Sequence, residues 1–161
     1  MKRFTAFVYR FDLTLHIIAG LTLALMMVVT FTDVVIRIFG RPIVGTMEII
    51  SFCGAVVIGF AIPYSSWMKV HVFVDLLTAK VTPRSQVILK AFTKTIGFLF
   101  FLFVSYNFIR YGLTLMKTGE VSPSFKIPYY PITFGLAVSC FLESLTLLCD
   151  LLKLAKGENN G

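Results

Sequence analysis

The fold class that the sequence predicts is an all-α integral membrane protein with four transmembrane helices, and three observations carry it. Asp12 and Asp33 bracket 20 residues without a formal charge, and Glu48 and Lys69 bracket another 20. Each run is long enough to cross a hydrocarbon core roughly 30 Å thick. Thr95 to Ile109 and Ile127 to Leu142 add runs of 15 and 16 residues, which reach spanning length when flanking Lys, Arg and Glu side chains snorkel or are paired. Hydrophobic residues make up 57% of the chain, with 17 Phe, a composition too apolar for one soluble core of this size. The runs lack period-2 alternation, and backbone groups in lipid must be satisfied within the segment, so helices are expected and a barrel is not. The expected organisation is a single membrane domain over residues 1–161, with helices at about 13–38, 46–68, 83–116 and 132–152.

The first helix is expected to stop at Gly40-Arg41-Pro42, a loop signal that prevents a continuous helix into the next span. Basic residues before its apolar run mimic a signal peptide. The run is long and no small-x-small site follows it, so an uncleaved helix is expected. The second helix holds Pro63, which cannot donate to the Gly59 carbonyl, and a kink is expected there. Tyr64 and Trp67 near its end suit the headgroup layer. Thr82-Pro83 reads as an N-cap followed by proline at the first helical position, opening an amphipathic interfacial approach to the third span. Three prolines and a glycine between Lys117 and Pro131 mark an irregular loop before the fourth helix.

The formal net charge of +7 would suggest nucleic acid in a soluble protein, but here the basic residues sit at helix ends and in connections, where they report topology. No nucleic-acid partner is expected. Ten of the 15 Lys and Arg residues fall on the side of the two termini and of the connection from Lys69 to Lys94. The positive-inside rule therefore predicts that both termini are cytoplasmic. Cys53, Cys140 and Cys149 stand singly in predicted helices, without a C-x-x-C pair, and suggest no disulfide framework.

Few polar residues enter the spans. Asp33 and Arg37 are spaced i, i+4 and fall on one helix face within ion-pairing reach. Glu48 is expected at similar depth, and the three together read as a structural clasp near one interface. His16 is expected to be held within the bundle; with His71 in a connection, two axial haem ligands from the bundle are not available. Glu143 is the most deeply placed acid, sharing a face with Ser139 and Gly135. It either binds a cation or substrate or pairs with Lys90 or Lys94, and the pairing is the expectation. Ser51, Ala55 and Gly59 repeat every four residues, a flat stripe suited to packing against another helix.

Three segments together resemble the small membrane subunit, the DctQ type, of tripartite ATP-independent periplasmic (TRAP) transporters. They are Asp33-Val-Val-Ile-Arg37 with Gly40-Arg41-Pro-Ile-Val-Gly-Thr-Met-Glu48, then Lys69-Val-His71-Val-Phe-Val-Asp75-Leu-Leu, then Gly119 to Pro131 with Ile127-Pro128. Val70 stands where a glycine is common before the histidine. The resemblance implies a non-enzymatic subunit in a bacterial inner membrane, serving sodium-coupled import of organic acids such as C4-dicarboxylates or sialic acid. It implies two protein partners, a periplasmic substrate-binding protein and a large membrane subunit that moves as an elevator and holds the substrate and sodium sites. This chain would be part of the static scaffold, in contact with membrane lipids and without a cofactor of its own. The motif residues, Lys69, His71 and Asp75 among them, are candidates for subunit interface or structural roles. The rival reading is an autonomous small transporter or channel working as a homo-oligomer, which would place Glu143 or Glu48 at a shared interface.

Overall fold

A computed structural model describes residues 2–40, 43–68 and 83–155. Four helices account for most of them: α1 (Lys2–Ile38), α2 (Thr46–Trp67), α3 (Pro83–Thr118) and α4 (Tyr130–Ala155). All four contain a stretch long and apolar enough to cross a membrane, namely Ala6–Ile38, Thr46–Trp67, Ala91–Thr118 and Tyr130–Leu152. Among the described residues there is no strand, and Val121 and Pro128 make an isolated antiparallel bridge.

α1 begins at Lys2, well before the start expected from its apolar run. Lys and Arg are good helix formers, so Lys2, Arg3 and Arg10 continue the helix beyond the uncharged stretch. At 1.5 Å per residue α1 is roughly 55 Å long, more than a hydrocarbon core requires. Thr14, Thr22, Thr30 and Thr32 each donate to the carbonyl four residues earlier, which removes their hydroxyls from the lipid's account of unsatisfied groups. The buried positions Asp12, Ala19 and Asp33 are spaced by multiples of seven, with Val8 one turn before Asp12. They form one stripe, with an acid near each end.

Local signals terminate the helices as expected. Gly40 (φ 75°) follows α1, and its N–H reaches the Arg37 carbonyl at 3.0 Å. Gly119 (φ 65°) follows α3, and its N–H reaches the Leu115 carbonyl, four residues earlier, at 3.0 Å. Pro83 opens α3 and Pro131 sits in the first turn of α4, where a missing N–H costs nothing. Residues 83–90 are helical and continuous with the third span.

The helices do not pack as a square. α1 lies against α2, α2 against α4, and α4 most extensively against α3, while α1 meets α4 over a smaller contact. The lateral order is α1, α2, α4, α3, so the last helix in the chain is an inner one. Its sequence suits that place. Thr133, Ala137, Ser139, Cys140, Leu142, Glu143, Ser144, Thr146 and Cys149 are buried, and beyond its first two residues Val138, Phe141 and Leu152 are the exposed positions among those described. Small residues let neighbours approach closely: Ser105 of α3 donates to the Ala137 carbonyl at 2.9 Å, and a Cβ on Gly112 would stand 3.0 Å from the Phe134 ring.

Candidate functional site

Three polar arrangements tie the bundle together, one at each end and one between. The first lies where α1 turns into α2. Asp33, 4% exposed, accepts from Arg37 Nη2 at 2.6 Å through Oδ2, and through Oδ1 from the Ile43 N–H and Thr46 Oγ1, both at 3.1 Å. The expected Asp33–Arg37 pair is formed, but its third member is elsewhere. Glu48 accepts from the backbone N–H groups of Ser124 and Phe125, at 2.9 and 3.3 Å. It thus fastens the loop between α3 and α4 to the start of α2. The expectation of one three-charge clasp is corrected to two separate ties, because exposed loop N–H groups offer Glu48 the donors that it would otherwise seek from Arg37.

That loop is itself ordered. The Ser122 N–H donates to the Ile127 carbonyl at 2.9 Å, Lys126 N–H to the Ser122 carbonyl at 3.0 Å, and Ile127 N–H to Ser122 Oγ at 3.3 Å. Gly45, just before α2, adopts φ 88° and faces the Phe125 ring, where a Cβ would collide. Only glycine meets both demands.

In the second half of α2, Pro63 leaves the Gly59 carbonyl without its intrahelical donor, and Ser139 Oγ of α4 donates to that carbonyl. α2 runs through Pro63 unbroken, and a neighbouring hydroxyl replaces the lost bond. Gly59 also faces Leu136, so the missing side chain is what admits α4. Of the flat stripe, Gly59 is buried, Ala55 half-buried and Ser51 exposed, its hydroxyl returned to the Met47 carbonyl.

The third arrangement, at the end bearing the chain termini, holds two fully buried acids. Asp12 and Glu143 are 0% and 1% exposed. Trp67 Nε1 and Thr146 Oγ1 both donate to Asp12 Oδ2, at 2.5 and 2.8 Å, and Ser66 Oγ donates to Glu143 Oε1 at 2.5 Å. Glu143 does not pair with Lys94, which bonds Asp150 at 2.8 Å instead. Asp150 lies two turns further along α4 than Glu143, nearer the helix end, where a lysine head is solvated at less cost, so the expected pairing with Lys94 is corrected. Lys90's side chain, Arg41, Lys69, His71 and Asp75 lie outside the described residues. Asp12 went unread in the sequence except as the boundary of an apolar run. Trp67 turns its indole inward to Asp12 rather than to headgroups, and His16 stacks on Tyr64 with centroids 4.3 Å apart. Among the described residues no group of three or more His, Cys, Asp or Glu side chains converges to hold a metal ion.

These ties connect helices and loops. Residues 26–157 match the family model described as Tripartite ATP-independent periplasmic transporters, DctQ component. The chain belongs to the DctQ family. No curated protein and no solved structure matches it significantly. As a DctQ chain with four membrane-spanning helices, it is a multi-pass membrane protein and a small component of a tripartite transporter, in a family that is not one of enzymes. The match spans all three arrangements except the Asp12 side of the buried pair, which precedes residue 26.

Proposed function

We propose that this DctQ chain is the static scaffold of a sodium-coupled importer of organic acids, of the C4-dicarboxylate or sialic acid class. It would sit in a bacterial inner membrane with both termini cytoplasmic. A periplasmic binding protein delivers the substrate, and a large membrane subunit carries substrate and sodium across by moving as an elevator. The observation that carries the scaffold role is that four polar side chains are spent on fastening: Asp33 on the α1–α2 turn, Glu48 on the α3–α4 loop, Ser139 on α2, Lys94 on Asp150. A part that must stay still while its neighbour moves benefits from such ties, and the outer faces of α1 and α3 offer apolar area for lateral packing, through Leu21, Met27 and Phe31 and through Leu99, Phe100 and Phe103. Arg37, 57% exposed beyond its ion pair, is the interface candidate on the loop side, with Arg41, Lys69, His71 and Asp75 as further motif candidates.

Reconstitution into proteoliposomes tests this reading, with labelled sialic acid and C4-dicarboxylates and a sodium gradient. Uptake that needs this chain, the large subunit and the binding protein together is the expected result. Uptake by this chain alone would replace the scaffold with an autonomous transporter.

A further inference from the structure

Two carboxylates buried in a membrane protein, with no cationic side chain bonded to either among the described residues, cannot both stay charged and unpaired, because the cost of desolvating each charge is several kcal/mol. Asp12 and Glu143 are in that position. Asp12 Oδ1 and Glu143 Oε2 are buried and have no hydrogen-bond partner. Glu143 and Thr146 are one turn apart on α4, and Thr146 bonds Asp12, so both carboxylates face the same wedge where α1, α2 and α4 meet. Asp12 and Asp150 both lie within electrostatic range of Glu143. Lys94 of α3 is committed to Asp150.

We propose that the Asp12–Glu143 pair is an exchangeable binding site for one small monovalent cation, a proton or Na⁺, held between Asp12 Oδ1 and Glu143 Oε2. One positive charge leaves the pair with a single negative charge, which the donors already present stabilise: the Trp67 indole and the Thr146 and Ser66 hydroxyls. The oxygens are hard donors, which suit a proton or an alkali ion and not a soft metal. A divalent ion is a poorer match, since Ca²⁺ takes six to eight oxygens and Mg²⁺ retains several waters; with two unengaged oxygens in the wedge, Na⁺ would complete its shell with the Thr146 and Ser66 hydroxyl oxygens and water, whereas a proton needs only the two carboxylates. Among the described residues, the other titratable or charged groups about it are Tyr9 and His16 on α1, Tyr64 on α2, Lys94 on α3, and Cys140 and Asp150 on α4, with the Tyr9 ring edge-on to Trp67. The inference is independent of the scaffold reading, because it concerns this chain's own interior.

The chain supplies its own reporter. Trp67 is its single tryptophan, and its indole N–H is bonded to Asp12. The full chain in lipid nanodiscs is titrated two ways while Trp67 emission is followed: with NaCl replacing choline chloride at fixed pH and ionic strength, and with pH in choline alone. A saturable response to NaCl that acid suppresses identifies Na⁺ as the occupant. A pH titration indifferent to NaCl identifies the proton. Either response is expected to be lost in Asp12→Asn and in Glu143→Gln, and to persist in His16→Gln, which removes the neighbouring imidazole. Emission that changes with neither NaCl nor pH overturns the proposal, as does a response that survives in both carboxamide variants. Should either variant fail to fold, the wild-type titrations with the His16→Gln control decide.

Discussion

Asp33 shows how much one side chain organises here: three donors converge on its carboxylate, from its own helix, the turn and the start of α2. Asp33→Ala is expected to cost about 1–3 kcal/mol, since buried donors lose a charged acceptor. Thermal denaturation in detergent would register it as a lowered midpoint, and an unchanged midpoint would show that the turn holds without it. Gly45→Ala combines a left-handed backbone with a collision against Phe125, and is expected to destabilise by about 1 kcal/mol or more. The α3–α4 loop should become susceptible to proteolysis in that variant, since the same ring lies beside the Glu48 tie. At this scale the sequence was legible where spacing is local. The i, i+4 pair of Asp33 and Arg37 can be read from their separation alone. Asp12 with Thr146, separated by 134 positions, cannot, because only the docking of α4 beside α1 brings them together.

Between elements, the proline, the glycine and the serine act as one device. Pro63 frees a carbonyl, Gly59 lets α4 come near it, and Ser139 arrives to bond it. Ser139→Ala is expected to cost roughly 0.5–1.5 kcal/mol in thermal unfolding. Pro63→Ala restores an N–H for the same carbonyl, so Ser139→Ala should cost less in that background. A double-mutant cycle with no coupling energy would reject the exchange. On the α3–α4 seam, exchanging charges as Lys94→Asp with Asp150→Lys should recover the stability lost by either single change, about 1 kcal/mol for a partly exposed pair. The corresponding exchange of Lys94 with Glu143 should not. The four spans and their order along the chain were legible from uncharged length, and the ends of three of them from glycine and proline. The early start of α1 was not, because charged residues mark where lipid ends and do not by themselves end a helix.

For the whole molecule, the three motif segments, in their order along a four-helix chain, resemble the family that the match over residues 26–157 establishes. Lateral order was not read from the sequence, because the spans are apolar over most of their surface and hydrophobic patterning then carries little information about which neighbour a span meets. The outcome is a row in which α3 is secured chiefly by α4, and α4 also touches α1 and α2. Substituting Gly112 by Leu on the α3–α4 seam should therefore loosen α3 without melting the α1–α2 hairpin. Cysteine accessibility along α3 and along α1 would separate those two effects.

That row also sets an order of events at the ribosome. The helix that three others lean on is the last to be synthesised, so α3 enters the bilayer before its main partner exists. A nascent chain paused after Thr118 would present an assembled α1–α2 pair beside an orphaned span with Ser105 and Gly112 turned to lipid. Its release as a truncated product is expected to make it a substrate for membrane proteases, whereas completion through Ala155 closes the row and removes it from their reach.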